Sequence, residues 1–540
     1  MIVLKRQMTG YVVCLIAALF ELTATSAIRA QTPTTPDPIA TTHGQVDLGT
    51  QMLHYTAQAG LLPLFDNDTE ALMGRVFVVS YTLDRTAGQP ARPLTFIWNG
   101  GPGSSSSELH VIGMGPKALK TPDTFPEWVK NPPTQLVDNK ETWLLNSDLV
   151  FVDPIGTGYS RATSDAYRDV LYTTHGDIEA VAEAIRIYID RNQAWDAPIF
   201  LAGESYGTER AMGVAEALER RRTPVSGVVL MSGFFDVGQH VPKSLEAALA
   251  VPTFAATAYY HKRMAAELQA RPRAEVLRRA LEWASKDYAH ALEHPNALTP
   301  TEKAAVLKTL KDFTGVDAHA VEDSSLILTH EAFADDLIAD HALGRYDMRM
   351  VGSKRGAGNP IWIPTTDPSI EPVLEFMQGK APALIHYLRE TLQFKSDLLY
   401  AGPFGEAFHP LSLRAIAPQI GGPYDDWMTI KFNHGAKPEA ESPNRPPFET
   451  PPPLRRAMDL NSQLLVMNIS GLYDDAVGSC AVRDEEVARS DALIRPRVRN
   501  FCYDAGHMVY SDIAVRKALQ RDFGQFVHDA SGQTSKAITH

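Results

Sequence analysis

Gly203-Glu204-Ser205-Tyr206-Gly207 sets a serine between two glycines, after the apolar run IFLA and before the helical pattern ERAMGVAEALERRR. A serine hydroxyl becomes an effective nucleophile only when a neighbouring base takes its proton. A G-x-S-x-G turn between strand and helix exposes such a hydroxyl and aims the following helix N-terminus at it; the sharp turn tolerates only glycine at its flanks. Ala211, Met212, Ala215 and Leu218 fall on one face, as that helix requires. A second stretch, FIWNGGPGSSSS (Phe96 to Ser107), ends an apolar run in glycines whose backbone N–H groups could approach an anion. That anion is either a nucleotide phosphate or the oxyanion formed when a carbonyl is attacked. Gly101-Pro102-Gly103 lacks the Gly-Lys-Ser/Thr of a P-loop, and Ser106 stands where a dinucleotide fingerprint needs its third glycine. The stretch reads as an oxyanion loop serving Ser205.

The order Ser, acid, His is that of α/β hydrolases, so both partners should follow Ser205. Of seventeen histidines, His507, His528 and His540 lie beyond the strand-like sequence that resumes near Leu464. His540 is the last residue and His528 sits in a terminal helical pattern. His507, in YDAGHMVYSD, follows a strand pattern and a glycine, as a loop-borne base should. For the acid, LLVMNISGLYDDAVG offers Asp474 and Asp475. A buried carboxylate at either position would fix the imidazole tautomer. Spacing alone leaves the two open.

The elements that must hold these residues follow from apolar patterning. RVFVVSYTL alternates and predicts an antiparallel strand; PLTFIWN, SDLVFVDP and APIFLAG predict buried parallel strands. DIEAVAEAIRIYIDRN predicts a helix between the last two, and the alternation argues for an α/β sheet. From Gly238 to Arg455 helical segments such as SLEAALAVPTFAATAYYHKRMAAELQ and RAEVLRRALEWASKDYAHALE dominate, then Pro-rich sequence, before strand patterns return at QLLVMNISG and RVRNFCYDAG. The expected organisation is a hydrolase core at 31–237 and 456–540, interrupted by a largely helical cap at 238–455. The core would be a mostly parallel central sheet with helices on both faces. Residues 31–45, polar and Pro-rich, read as an N-terminal tail.

The chain has 540 residues and is 44% hydrophobic, enough for a large core. A formal net charge of −13 argues against a nucleic-acid partner. Residues 1–30 read as a cleaved signal peptide, with Lys5 and Arg6 before an apolar stretch that Glu21 interrupts. The expected mature protein is exported, periplasmic or secreted, without a stable membrane anchor. Only Cys480 and Cys502 then remain, and export permits a bridge between them; two buried thiols fit as well. No His/Cys cluster shows zinc-ligand spacing, so neither metal nor cofactor is expected. Composition leaves the oligomeric state open.

WNGGPGSSS, DPIGTGYS, GESYG, SGLYD and AGHMV, in this order across roughly residues 75–235 and 455–528, resemble the serine carboxypeptidase family, here as a bacterial member within the α/β-hydrolase superfamily. The resemblance implies Ser205, Asp474 and His507 as the triad, and Gly101 and Tyr206 as backbone oxyanion donors. It implies Asn99, Gly100 and Glu204 as the grip on a substrate's terminal carboxylate, and a peptide with a free C-terminus as substrate. A glutamate that the family pairs with the carboxylate-binding one falls on Gly113 here; Glu108 is either its substitute or a solvated charge. Ser104 stands where the family often has cysteine. The alternatives are an esterase or acyltransferase with the same triad, and a non-catalytic binding protein of this fold.

Overall fold

The short apolar runs need cover on both faces, and a ten-stranded sheet gives it to them in the computed structural model of the chain. The structure describes residues 39–86, 88–128, 135–322, 324–353, 367–369, 383–401 and 451–537. The strands are β1 (Ala40–Asp47), β2 (Met52–Phe65), β3 (Leu72–Leu83), β4 (Leu94–Trp98), β5 (Asp148–Asp153), β6 (Arg161–Ala162), β7 (Ile199–Glu204), β8 (Val225–Met231), β9 (Leu465–Gly471) and β10 (Val498–Tyr503). They lie in the order β1-β2-β3-β5-β4-β7-β8-β9-β10, with β6 beside β3. Pairing is antiparallel from β1 to β3 and between β3 and β5, and parallel from β5 through β4 to β10.

The parallel strands β4, β5, β7, β8 and β9 are buried along their whole length. Their side chains alternate between two cores, as a pleat of period two demands. Ile97, Phe151 and Phe200 join Phe523 and Phe526 of the terminal helix Ile513–Ala537 on one side. Phe96, Val150 and Leu201 meet α1 (Thr174–Arg191) and α2 (Tyr206–Arg220) on the other. The strand and helix patterns read from the sequence match these elements.

One expectation is corrected. Residues 40–45 of the supposed tail belong to β1, which pairs antiparallel with β2 at the sheet's edge. Most of β1 stays partly or fully exposed, so its polar composition resembles a tail while its backbone is paired. The leader expected at 1–30 and the stretch 402–450 before Pro451 lie outside the described residues. Among the described residues no helix is long and apolar enough to cross a membrane.

Between β8 and β9 run α3 (Val251–Tyr260), α4 (Arg273–Trp283), α5 (Pro300–Thr314) and α6 (His330–Asp336), among shorter pieces. Phe254, Val276, Leu310, Phe313 and Phe333 give this region its own core, which Tyr473 joins from the loop after β9. The helical region thus packs against the loop that carries the two candidate acids.

Cys480, at the start of α7 (Cys480–Arg489), is bonded to Cys502 of β10 across 22 residues. Closing a loop of that length restricts the unfolded chain. The double substitution Cys480→Ser/Cys502→Ser is expected to lower unfolding free energy by about 3 kcal/mol. Denaturant titration of the two proteins measures this, and equal midpoints would remove the structural role.

Candidate active site

Ser205 stands between β7 and α2 with φ +56° and ψ −128°, a conformation that a non-glycine residue holds only under constraint from its surroundings. The constraint is crowding. A side chain on Gly203 would strike the Gly207 carbonyl, and one on Gly207 would reach within 3.0 Å of the Trp98 ring. Trp98 Nε1 also donates to the Gly207 carbonyl at 2.9 Å, fixing the end of β4 against the start of α2. The glycines flanking the serine are therefore required by contact.

The glycine loop meets this turn directly. A Cβ on Gly100 would lie 2.5 Å from the Glu204 carbonyl oxygen and 2.6 Å from the Tyr206 nitrogen. Gly101 follows at φ +102°, a conformation that suits glycine. The glycine loop and the helix start are thus brought side by side at the half-buried serine, where an oxyanion would need N–H donors.

His507 and Asp474 come together: His507 Nδ1 and Asp474 Oδ2 are 2.8 Å apart, and both side chains are buried. Burial alone would lower the proton affinity of His507, but Asp474, assisted by Glu204, outweighs it and raises it. Asp475 points elsewhere and pairs with His330 of α6. Of the two aspartates that spacing left open, Asp474 is the one that faces the His507 imidazole. The loops bearing the acid and the base are tied by backbone bonds, Leu472 N–H to Tyr503 C=O at 2.8 Å and Tyr473 N–H to Ala505 C=O at 3.0 Å.

Glu204, buried beside the serine, accepts from Asn99 Nδ2 and, at 2.9 Å, from the Tyr510 hydroxyl. Burial raises its proton affinity against the pull of His507, Tyr510 and Asn99. Glu108 is only 5% exposed, so it is no solvated charge. Burial and then the repulsion of Glu204 push it up to about 8. At Gly113 a Cβ would sit 3.3 Å from the ring of Tyr510, so that ring fills the space a side chain there would need.

Sequence reasoning missed two residues at this centre. Tyr510, three positions after His507, has no motif to announce it. Tyr346 comes from the region between β8 and β9; its carbonyl accepts from the backbone N–H of His507 at 2.6 Å, and its ring stands edge-on to the imidazole with centroids 5.0 Å apart. Apart from these residues, His290, Glu293 and His294, exposed at a helix end, bring ligand atoms within 4.8 Å of one another at the i, i+3, i+4 spacing of one helix face.

Residues 76–313 match the family model described as serine carboxypeptidase. The chain is 29% identical over 163 residues to the pheromone-processing carboxypeptidase KEX1 of Yarrowia lipolytica, covering 29% of this chain and 24% of that protein. It is 32% identical over 144 residues to its namesake from Aspergillus niger, covering 26% and 21%. The chain therefore spans about a quarter of the length of these fungal relatives. The crystal structure of a prohormone-processing carboxypeptidase from Saccharomyces cerevisiae aligns over 88% of this chain and 92% of its own, with a TM-score of 0.50 and 15% identity. The shared fold is that of an α/β hydrolase.

Replacing Ser205 with Ala is expected to lower kcat by on the order of 10⁴ to 10⁶ without changing the circular dichroism spectrum. Turnover near the parent's would assign the nucleophile elsewhere. Asp474→Asn is expected to cost more than Asp475→Asn, since Asp475 is engaged by His330. Single-turnover kinetics on folded variants gives the ranking, and the reverse order would transfer the role.

Proposed function

We propose, from the serine carboxypeptidase match and the arrangement around Ser205, that this chain removes residues from the C-termini of peptides. Ser205 attacks the scissile carbonyl while His507 takes its proton and returns it to the leaving amine. Asp474 holds the imidazole in the tautomer that accepts at Nε2. The N–H groups of Gly101 and Tyr206 receive the oxyanion of each tetrahedral intermediate, and water releases the acyl-enzyme. The leader-like pattern of residues 1–30 supports export, in a bacterial cell to the periplasm or the medium.

The observation that carries the carboxypeptidase reading is the buried acid cluster beside the serine. Asn99, the Gly100 N–H and Glu204 would grip the substrate's terminal carboxylate. Two carboxylates repel, so Glu204 can serve only through a shared proton. A lone glutamate would confine such binding to acid solution. Glu108 changes this, because burial and Glu204 push it up to about 8. The two glutamates titrate as a pair, and one proton stays on the pair through neutral pH. Glu108 thus takes over from the glutamate that Gly113 lacks, while Tyr510 steadies Glu204.

The pH dependence has two signs. His507 must be neutral, so kcat rises as pH climbs through its raised value. The acid pair must keep a proton, so KM for free-carboxylate peptides rises as pH passes about 8. Amide-blocked peptides or esters are expected to lack that rise, and Glu108→Gln to flatten it. Initial rates across pH on matched free and blocked substrates give both limbs. Identical KM profiles for the two series, with no preference for the free carboxylate, would favour an esterase.

A further inference from the structure

The reaction outlined above leaves one buried charge pair unused. Arg210 lies in α2, five residues after Ser205, and has no exposed surface. Its Nε donates to Asp177 Oδ2 of α1 at 2.8 Å, and its Nη1 donates to the backbone carbonyl of Asn99 at 2.9 Å. The guanidinium carbon is 5.2 Å from the centre of the Tyr206 ring. The Tyr206 hydroxyl donates to the same Asp177 oxygen at 3.3 Å. A buried ion pair is a weak source of stability, because desolvation offsets most of its attraction. Its placement calls for another explanation.

That explanation lies in what the fork touches. Asn99 immediately precedes Gly100 and Gly101, and Tyr206 immediately follows Ser205. One cation therefore contacts both peptide segments that would supply oxyanion donors. Asn99 is held at three points: its carbonyl by Arg210, its Nδ2 by Glu204, and its Oδ1 by the Leu109 N–H at 3.2 Å. Beyond it the chain is glycine, and Ser104 N–H to the Gly100 carbonyl at 3.1 Å closes the turn. Without Arg210 the Asn99 carbonyl would be buried without that donor, and the peptide plane leading into Gly100 would lose an anchor. We infer that Arg210 is a positioning residue, which aims the Gly101 and Tyr206 N–H groups by holding the Asn99 carbonyl and the Tyr206 ring in one arrangement. This rests on Ser205 performing acyl transfer, but not on the choice of peptide over ester. Lysine could not replace it, since a single ammonium lacks the planar fork that reaches two acceptors at fixed angles.

Two variants test the role. Arg210→Lys keeps the charge and loses the fork. Arg210→Met/Asp177→Leu removes both charges, so that neither is buried alone. A displacement of about 1 Å at a reacting group costs about 10²-fold in rate, and a loss of that order in kcat is expected for both variants. On activated esters, which do not engage the proposed carboxylate grip at Asn99 and Gly100, KM should stay within about threefold, because ground-state binding does not use the oxyanion. Affinity for a peptide aldehyde, whose hemiacetal oxygen occupies the oxyanion position, should fall in parallel with kcat. A purely structural role would lower the melting temperature and leave kcat and aldehyde affinity in place. A folded double variant with both near the parent's values would overturn the inference; should it not fold, the same result for the lysine variant would do so. Activated esters make the test independent of the peptidase reading. If peptides are not cleaved but ester turnover falls in both variants, the carboxypeptidase proposal fails and the role of Arg210 stands.

Discussion

Gly100 has no room for a side chain, and much of the centre follows from that contact. A Cβ there would run into the peptide groups of the turn after β7, at the Glu204 carbonyl and the Tyr206 nitrogen. Two loops can approach this closely only if the strands that deliver them are neighbours. β4 and β7 are adjacent and parallel, with Trp98 opposite Gly203, so both chains leave the sheet at the same edge and height. The sheet order thus sets the distance between the proposed nucleophile and its proposed oxyanion donors. β8 and β9 continue the sheet, and the loops after β9 and β10 bring Asp474 and His507 to the same edge. It is at the carboxyl ends of parallel strands that open α/β sheets bind ligands.

The same crowding that fixes geometry also governs protons. Glu108, Glu204, Asp474 and His507 are all buried, and a buried carboxylate is tolerated only if it is paired, hydrogen-bonded or protonated. Asp474 has the imidazole. Glu204 has two neutral donors, Asn99 and Tyr510, but Glu108 beside it. Burial and then the repulsion of Glu204 push Glu108 up to about 8, which favours its neutral form. Tyr510 couples the two halves, since it follows His507 closely and bonds to Glu204.

The sheet was legible because buried parallel strands leave short apolar runs ending in glycine, proline or aspartate, and β4, β5 and β7 all do so. β1 was not, because an edge strand draws its order from backbone pairing and asks little of its side chains. The glycine-flanked serine left a legible motif because its turn tolerates few residue types, and Gly506, before His507, likewise has no room for a side chain. Asp474 against Asp475 could not be decided from the residues alone. Adjacent residues differ in which way they point, and that depends on His330, nearly 150 positions earlier. Glu108 shows the same limit, since its burial against Glu204 depends on how the loop after β4 folds back.

The region between β8 and β9 is where the sequence said least about chemistry, yet it borders the centre at several points. The Tyr346 carbonyl accepts the backbone N–H of His507 and its ring stands edge-on to the imidazole, while His330 pairs with Asp475. Behind them, Arg349 bonds to Asp347 at 2.6 Å and to Asp512 at 2.8 Å, tying this region to the chain just beyond the His507 loop. Arg349 also lies 5.1 Å from the ring of Tyr473, next to Asp474. These contacts use backbone carbonyls, ring faces and paired charges, which many sequences can provide, so they leave no short motif. Motifs survive where covalent chemistry demands one residue type. The region between β8 and β9 instead braces the loops that bear Asp474 and His507, which shows only when the fold sets residues 340 to 350 against residue 507.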